Sequence, residues 1–289
     1  MGRRLFIIGV FSRVATLYNY NYIRTPLFEA RELFHRSVGE SSDIVSKETY
    51  DFKDRGNRDL TLRPEGTAGV VRSFIEQKMY GDNNLVKLYY YGPMYRYERP
   101  GAGRYREFTQ FGVEALGSDS PLIDAEVISL AYRAIEEMGI EDLTVKISSL
   151  GDSESRDKYR EALVKYLEPH IGELCEDCQK RFKTNPLRIL DCKVDRDSKV
   201  LREAPVIVDY LNQTSRKRFD KVLDYLMELD VDYDVDCSIV RGLDYYNHTV
   251  FELVTNNEEL GTANTLAAGG RYNNLVKSLE GPDTPCVIC

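Results

Sequence analysis

The 289-residue chain lacks any run approaching the roughly 18–20 apolar residues that a bilayer-spanning helix needs. It has no basic excess: 39 Lys plus Arg stand against 47 Asp plus Glu, a formal charge of −8. Bulk charge therefore does not hold it to nucleic acid, and any such contact must be local. No like-charge block and no Ser, Pro or Gly tract is long enough for a disordered chain. Neither G-x-G-x-x-G nor G-x-x-x-x-G-K-[ST] occurs, which disfavours a Rossmann or P-loop nucleotide site. Targeting signals are also missing. Met1 to Phe11 sets two arginines before a short apolar run, but Arg13 interrupts it and no small-residue cleavage site follows. Met1-Gly2 has Phe6 where myristoylation wants Ser or Thr, and Cys286-Val287-Ile288-Cys289 is a prenylation-like box with an unusual last residue. A soluble cytoplasmic protein is the expectation.

What is present is enough chain, 42% of it hydrophobic, to bury a substantial core in one large or two smaller domains. Leu5 to Tyr18 reads as a helix leading to a short strand at Tyr22–Arg24 that Pro26 stops. Ala68 to Met79 and Ala125 to Met138 carry apolar residues at helical spacing. Leu85 to Glu98 and Tyr105 to Gly117 read as an antiparallel hairpin about Gly101-Ala102-Gly103, with Gly92-Pro93 disturbing the first strand. Leu143 to Ser149 is strand-like. From Gly151 to Cys237 charge is dense and the apolar spacing helical, and strand-like sequence returns at Ile239. The economical reading is an α+β domain on an antiparallel sheet, residues 1–150 and 238–289, with a mostly helical insertion over 151–237.

The hairpin carries the chemistry. Alternation puts Arg104, Arg106, Phe108, Gln110, Gly112 and Glu114 on one face of the second strand. Such a face is ordinarily solvated and charge-paired. Here Gln110 and Glu114 stand among Phe111, Val113 and Leu116 with Gly112 leaving room between them, which argues for a walled pocket with convergent polar groups. Arginines at one end (Arg104 and Arg106, with Arg96 and Glu98 sharing a parity on the partner strand and Arg99 at the turn) suit phosphate oxygens, and carboxylates at the other suit a cationic or hydrogen-bond-donating small molecule. In Thr61–Thr67, Gly66 permits close backbone approach, and Thr67 reads equally as a plain helix N-cap. Arg241-Gly242-Leu243-Asp244-Tyr245-Tyr246 and Ala267–Tyr272 add glycine turns beside tyrosines, compatible with either an aromatic core or a small pocket.

Six cysteines occur. Cys175-Glu-Asp-Cys178 has the spacing of half a zinc site, with Cys192 as a third candidate, but no fourth ligand is evident. Reduced thiols in a helical segment are the preferred reading, and no metal ligand is assigned.

Four segments in order, TLRPEGT at 61–67, GPMYRYERPGAGRYREFTQFGVE at 92–114, RGLDYYNHTVFE at 241–252 and AAGGRYNNLV at 267–276, resemble histidyl-tRNA synthetase, a class II aminoacyl-tRNA synthetase. Pro26 in IRTPLFE and the LFHRSVGESSDIVSKETY that follows resemble the family's first, dimer-forming motif; CEDCQKRF and NPLRILDCK resemble the insertion of bacterial members. The resemblance covers Tyr18 to Pro285, and RGLDYY and AAGGRY are specific to the histidine enzyme within the class.

The resemblance implies a class II-type antiparallel sheet flanked by helices, and L-histidine, ATP with Mg²⁺ and tRNA(His) as ligands, with no organic cofactor and a homodimeric assembly. Positions matching Glu65, Thr67 and Gln110 hold the α-amino group of histidine; those matching Glu114 and Tyr246 meet its imidazole, with Tyr245 and Tyr272 completing the pocket. Arg96 and Arg241 match the cations at the ATP α-phosphate, Glu98 lies by the adenine and Arg104 serves the outer phosphates. GPDTP at 281–285 resembles the approach to a third motif, so a further ATP-binding arginine and the anticodon-binding domain are expected beyond Cys289 and the chain is expected to be impaired as a fragment. The alternative is a non-catalytic, histidine-sensing regulatory subunit of ATP phosphoribosyltransferase.

Overall fold

The computed structural model describes residues 2–38, 47–81, 85–101, 104–190, 192, 194–239, 246–255 and 264–289. Among them, strands β1 (Asn21–Tyr22), β5 (Val86–Tyr95), β6 (Glu107–Leu116), β7 (Leu143–Ser149), β8 (Tyr233–Val235), β9 (Asn247–Thr255), β10 (Thr265–Arg271) and β11 (Cys286–Ile288) form one sheet in the order β1-β5-β6-β11-β10-β9-β7-β8. Only the outer pairs β1–β5 and β7–β8 are parallel. A second sheet, β2 (Phe28–Ala30), β4 (Asp59–Leu62) and β3 (Tyr50–Lys53), is antiparallel throughout.

Strand alternation divides the core. Val113 and Ala115 of β6 pack on one face with Val10 and Val14 of α1 (Gly2–Leu17), Val127, Ile128 and Ala131 of α4 (Pro121–Glu137) and Phe219, Val222 and Leu226 of α8 (Gln213–Glu228). Leu116, Leu88 and Tyr90 look to the other face, toward Val70, Val71 and Phe74 of α3 (Thr67–Glu76) and Leu275 and Val276 of α9 (Leu275–Ser278). The helix that follows β2, α2 (Arg31–Val38), packs Phe34 against Ala68. α4 begins where Ser120 accepts the Leu122 amide and Pro121 occupies the first turn, a strong start signal that the apolar spacing alone placed four residues later.

The α+β class stands: an antiparallel-dominated sheet flanked by helices. Two local expectations change. The β5–β6 ladder runs unbroken through Gly92↔Gln110 and Pro93↔Thr109. Pro93 is tolerated because β1 pairs with β5 only at Leu88 and Tyr89, so the missing amide faces no partner strand. Within 151–237, α5 (Ser153–Leu167), α6 (Glu176–Thr184), α7 (Lys199–Arg202) and intervening 3₁₀ turns surround their own cluster of Leu163, Leu167, Ile189 and Ile207. α8 and β8, in the same range, instead join the main core and the main sheet, because their apolar faces are complementary to α4 and their backbone to β7. No helix of the described residues is long and apolar enough to cross a membrane.

Candidate active site

Glu114 sits at the closed end of the site, completely buried on the α3 face of β6. The Tyr272 hydroxyl donates to its Oε2 at 2.5 Å. Oε1 is buried with no hydrogen-bond partner among the described residues. Burial pushes the Glu114 carboxyl up to about 8, and the neighbouring Glu65 charge adds to this, while the Tyr272, Thr67 and Tyr90 hydroxyls oppose it. An orphan carboxylate oxygen in a dry pocket is costly unless a ligand's donor completes it.

Glu65 and Thr67 stand beside it at the start of α3. Thr67 does not cap the helix. Gly66 is the N-cap residue and makes no side-chain bond, while the buried Glu65 carboxylate accepts from the Thr67 amide at 2.6 Å and the Ala68 amide at 3.0 Å. That leaves the Thr67 hydroxyl free of the helix end and near Glu65, Glu114 and Tyr90. Burial raises the Glu65 carboxyl and its two amide bonds pull it back.

The room expected over Gly112 is occupied by Tyr90, its cross-strand partner. A Cβ on Gly112 would lie 2.3 Å from the Tyr90 ring, and one on Gly66 2.2 Å, so the two glycines form the slot that holds the ring between strand and helix. Tyr90 is the residue the sequence reading missed. Its signal was the glycine directly opposite it in the hairpin. Tyr246 is buried on the same face, close enough to Gly270 that a Cβ there would be 2.9 Å from its ring.

Toward the open end, Gln110 Oε1 is buried without a partner among the described residues. The Arg96 guanidinium is fixed by donation from Nε to the Pro64 carbonyl at 2.9 Å and by stacking over Phe108, 5.1 Å to the ring centre. Glu98 lies between Arg96 and Arg104, 3.9 Å from each. Arg104 is largely exposed. Arg63, also unassigned from sequence, is structural: it is buried and donates to the Pro93 carbonyl and to both oxygens of Thr25, each at 3.0 Å, tying 61–67 to β5. Arg241 and Tyr245 lie outside the described residues.

A cavity of about 640 Å³ lies nearby, lined by Arg96, Phe108 and Gln110, by Thr265 to Ala268, and by apolar residues of α1 and α4 such as Phe11, Leu130 and Ile135 on the opposite face of the sheet from Glu114. It continues the line of β11, which pairs with β6 only at Glu114–Leu116 and with β10 only at Gly270 and Arg271.

Beneath Tyr272, Arg271 is wholly buried against Asp124 of α4, with Nη2 2.6 Å from Oδ2, and Arg218 of α8 reaches the same oxygen at 2.9 Å. The arginines hold the Asp124 carboxyl below its usual range despite burial. This network clamps the turn after β10 and so fixes where Tyr272 points.

A helix-flanked antiparallel sheet that carries a buried carboxyl, Glu114, and an anchored guanidinium, Arg96, on its central hairpin is the architecture of a synthetase-type core. The family model for histidyl-tRNA synthetase matches residues 7–287. The chain belongs to the histidyl-tRNA synthetase family. It is 60% identical over 269 residues to the histidine–tRNA ligase of Anoxybacillus flavithermus, covering 93% of this chain and 64% of that protein. Against the Bacillus subtilis histidine–tRNA ligase it is 55% identical over 281 residues, 97% of this chain and 66% of that one. The apo S. aureus histidyl-tRNA synthetase crystal structure superposes with a TM-score of 0.80 at 44% identity, covering 99% of this chain and 67% of that chain. The chain thus spans about two thirds of the length of these relatives.

Proposed function

We propose that the chain carries the amino-acid activation site of a histidine–tRNA ligase, in which L-histidine and ATP give histidyl-adenylate and pyrophosphate and the histidyl group then passes to tRNA(His) in the cytoplasm. The observation that carries this reading is Glu114: a buried carboxyl, oriented by Tyr272, with one oxygen left without a hydrogen-bond partner among the described residues. An imidazole N–H fits that need, and an apolar side chain of similar size would leave the oxygen unpaired.

The α-amino group of histidine belongs with Glu65, Thr67 and Gln110. Glu65 uses one lone pair of each oxygen on the helix amides and keeps others for an ammonium. Gln110 Oε1 is a ready acceptor. A carboxylate oxygen of histidine then attacks the α-phosphorus; the new P–O bond forms as the bond to the bridging oxygen breaks and pyrophosphate leaves. Charge grows on the α-phosphate oxygens, where the immobilised Arg96, with Arg241, stabilises it at no reorganisation cost. Arg104, on the exposed rim, suits the outer phosphates. Mg²⁺ would arrive on the ATP phosphates, where it would neutralise part of their charge.

The assembly proposed is a homodimer through the Pro26–Tyr50 region. Phe28 and Phe52 pack edge to face, 6.3 Å apart, on the small sheet and are both exposed, with Leu27 beside them. Light scattering giving a particle of twice 33.2 kDa is expected; a monomer across a wide concentration range removes the dimer.

Histidine-dependent ATP–pyrophosphate exchange tests the activity. The 289-residue chain is expected to bind histidine and exchange slowly, and a version extended by the additional length its relatives have, along the line of β11, to exchange about 10²–10³ faster if one further preorganised arginine is supplied there. Equal rates would overturn this account of the ATP site. Histidine binding with no exchange by either form would favour the regulatory-subunit reading.

A further inference from the structure

The cysteines set aside in the sequence come together in the insertion. Cys175 is the N-cap of α6 and Cys178 lies in its first turn, so both sulfurs emerge on one side. The chain then runs through α6 and the 3₁₀ turn Pro186–Ile189 and returns to the same point at Cys192 and Asp195. The ligand atoms of Cys175, Cys178, Cys192 and Asp195 all lie within 4.8 Å of one another, and Cys178, Cys192 and Asp195 are buried.

The distances have the form of a coordination shell. A tetrahedral ion with metal–sulfur bonds of about 2.3 Å and a metal–oxygen bond of about 2.1 Å sets sulfurs about 3.8 Å apart and sulfur–oxygen pairs about 3.6 Å apart. Cys175 Sγ and Cys192 Sγ are 3.6 Å apart, and Asp195 Oδ2 is 3.5 Å from Cys192 Sγ. The backbone also serves anionic ligands: the Asp195 amide donates to Cys192 Sγ at 3.4 Å and the Cys175 amide to Asp195 Oδ2 at 3.0 Å, bonds that orient ligands and stabilise thiolates. Asp195 was not legible as the fourth ligand because the Cys192-x-x-Asp195 spacing belongs to no short metal motif.

The surroundings need such a link. Among the described residues between Glu168 and Tyr210 the chain forms 3₁₀ turns, one nine-residue helix and one four-residue helix, whose buried side chains Leu174, Ile189, Val200 and Ile207 join Tyr159, Leu163 and Leu167 of α5 in one cluster. Segments with so little core are usually tied by disulfides or metals. We propose that Cys175, Cys178, Cys192 and Asp195 form a closed, structural Zn²⁺ site that pins this segment. Three thiolates select zinc over magnesium or calcium, and four protein ligands leave no open position for catalysis.

The test uses the whole chain, purified without chelator. Elemental analysis is expected to find one zinc per chain, lost in Cys178→Ser. Chelation under reducing conditions followed by Co²⁺ titration is expected to give thiolate-to-cobalt charge-transfer absorption and the intense d–d bands of tetrahedral cobalt, displaced by Zn²⁺. Asp195→Ala should weaken cobalt binding by at least about tenfold and shift those bands, while Asp195→His keeps a tetrahedral spectrum. If Cys178→Ser fails to fold, the wild-type cobalt spectrum decides. A reduced, folded wild-type chain that gives no tetrahedral cobalt spectrum overturns the proposal, as does a zinc-free chain isolated with a Cys175–Cys192 disulfide.

Discussion

The Tyr272 hydroxyl donates to Glu114 Oε2 at 2.5 Å, joining residues 158 positions apart through the line of β10, β11 and β6. Both side chains are completely buried. The tyrosine holds one oxygen and leaves the other without a partner among the described residues, and the proposed histidine site depends on that arrangement. Glu114→Ala is expected to cost about 2–4 kcal/mol of histidine binding. Tyr272→Phe should cost less, about 1–2 kcal/mol, because the carboxylate remains but is no longer oriented. Calorimetry showing an unchanged affinity for Glu114→Ala would remove that residue from the site.

The same carboxyl makes stability depend on pH. In the folded chain it titrates at about 8, against 4.5 ordinarily, chiefly because it is buried. Below 4.5 both states hold the proton; between 4.5 and 8 only the folded state does, so this contribution is full at low pH and is lost as pH rises through 8. Glu114→Gln stays neutral throughout. Its melting temperature relative to wild type is expected to rise from pH 5.5 to pH 8.5, and an identical difference at both would contradict a raised carboxyl.

Tyr90 should behave as a packed part rather than a lining accessory. Gly112→Ala places a methyl 2.3 Å from its ring in a slot closed by Gly66, and a cost of about 1–3 kcal/mol in unfolding free energy is expected. Combining Gly112→Ala with Tyr90→Leu should recover part of the loss. Strict additivity in denaturant melts would mean that the glycine and the ring do not meet.

Asp124 balances two arginines in the interior. Asp124→Asn leaves Arg271 buried and short of its counter-charge, and is expected to destabilise by about 3–5 kcal/mol. Since the clamp also positions Tyr272, any folded Asp124→Asn protein should bind histidine more weakly. Normal melting with normal affinity would refute both roles.

Arg96 is expected to act on the rate rather than on the amino acid. Arg96→Ala should lower pyrophosphate exchange about 10²–10³-fold while leaving histidine affinity near wild type. An equal loss in both would place Arg96 beside the amino acid and not the phosphate.

The primary structure by itself determined more than the fold class. Period-2 alternation in 107–116 put Gln110, Gly112 and Glu114 on one face, and the ladder bears that out because register in a two-sided strand cannot slip without inverting every side chain. The motif order from Thr61 to Tyr272 identified the family, since residues set by one chemistry recur together. What the tertiary structure alone decided are relations across long separations and choices among equivalent donors. Thr67 and Glu65 could each cap α3, and it is the Glu65 carboxylate that takes the two amides. Arg271, Asp124 and Arg218 belong to three elements, and no local pattern announces that they share one buried oxygen. Asp195 meets Cys175 only because a 3₁₀ turn reverses the chain between them. Local periodicity is set by backbone geometry within a few residues, whereas such convergences follow from how whole elements pack, and that is settled only when the core closes.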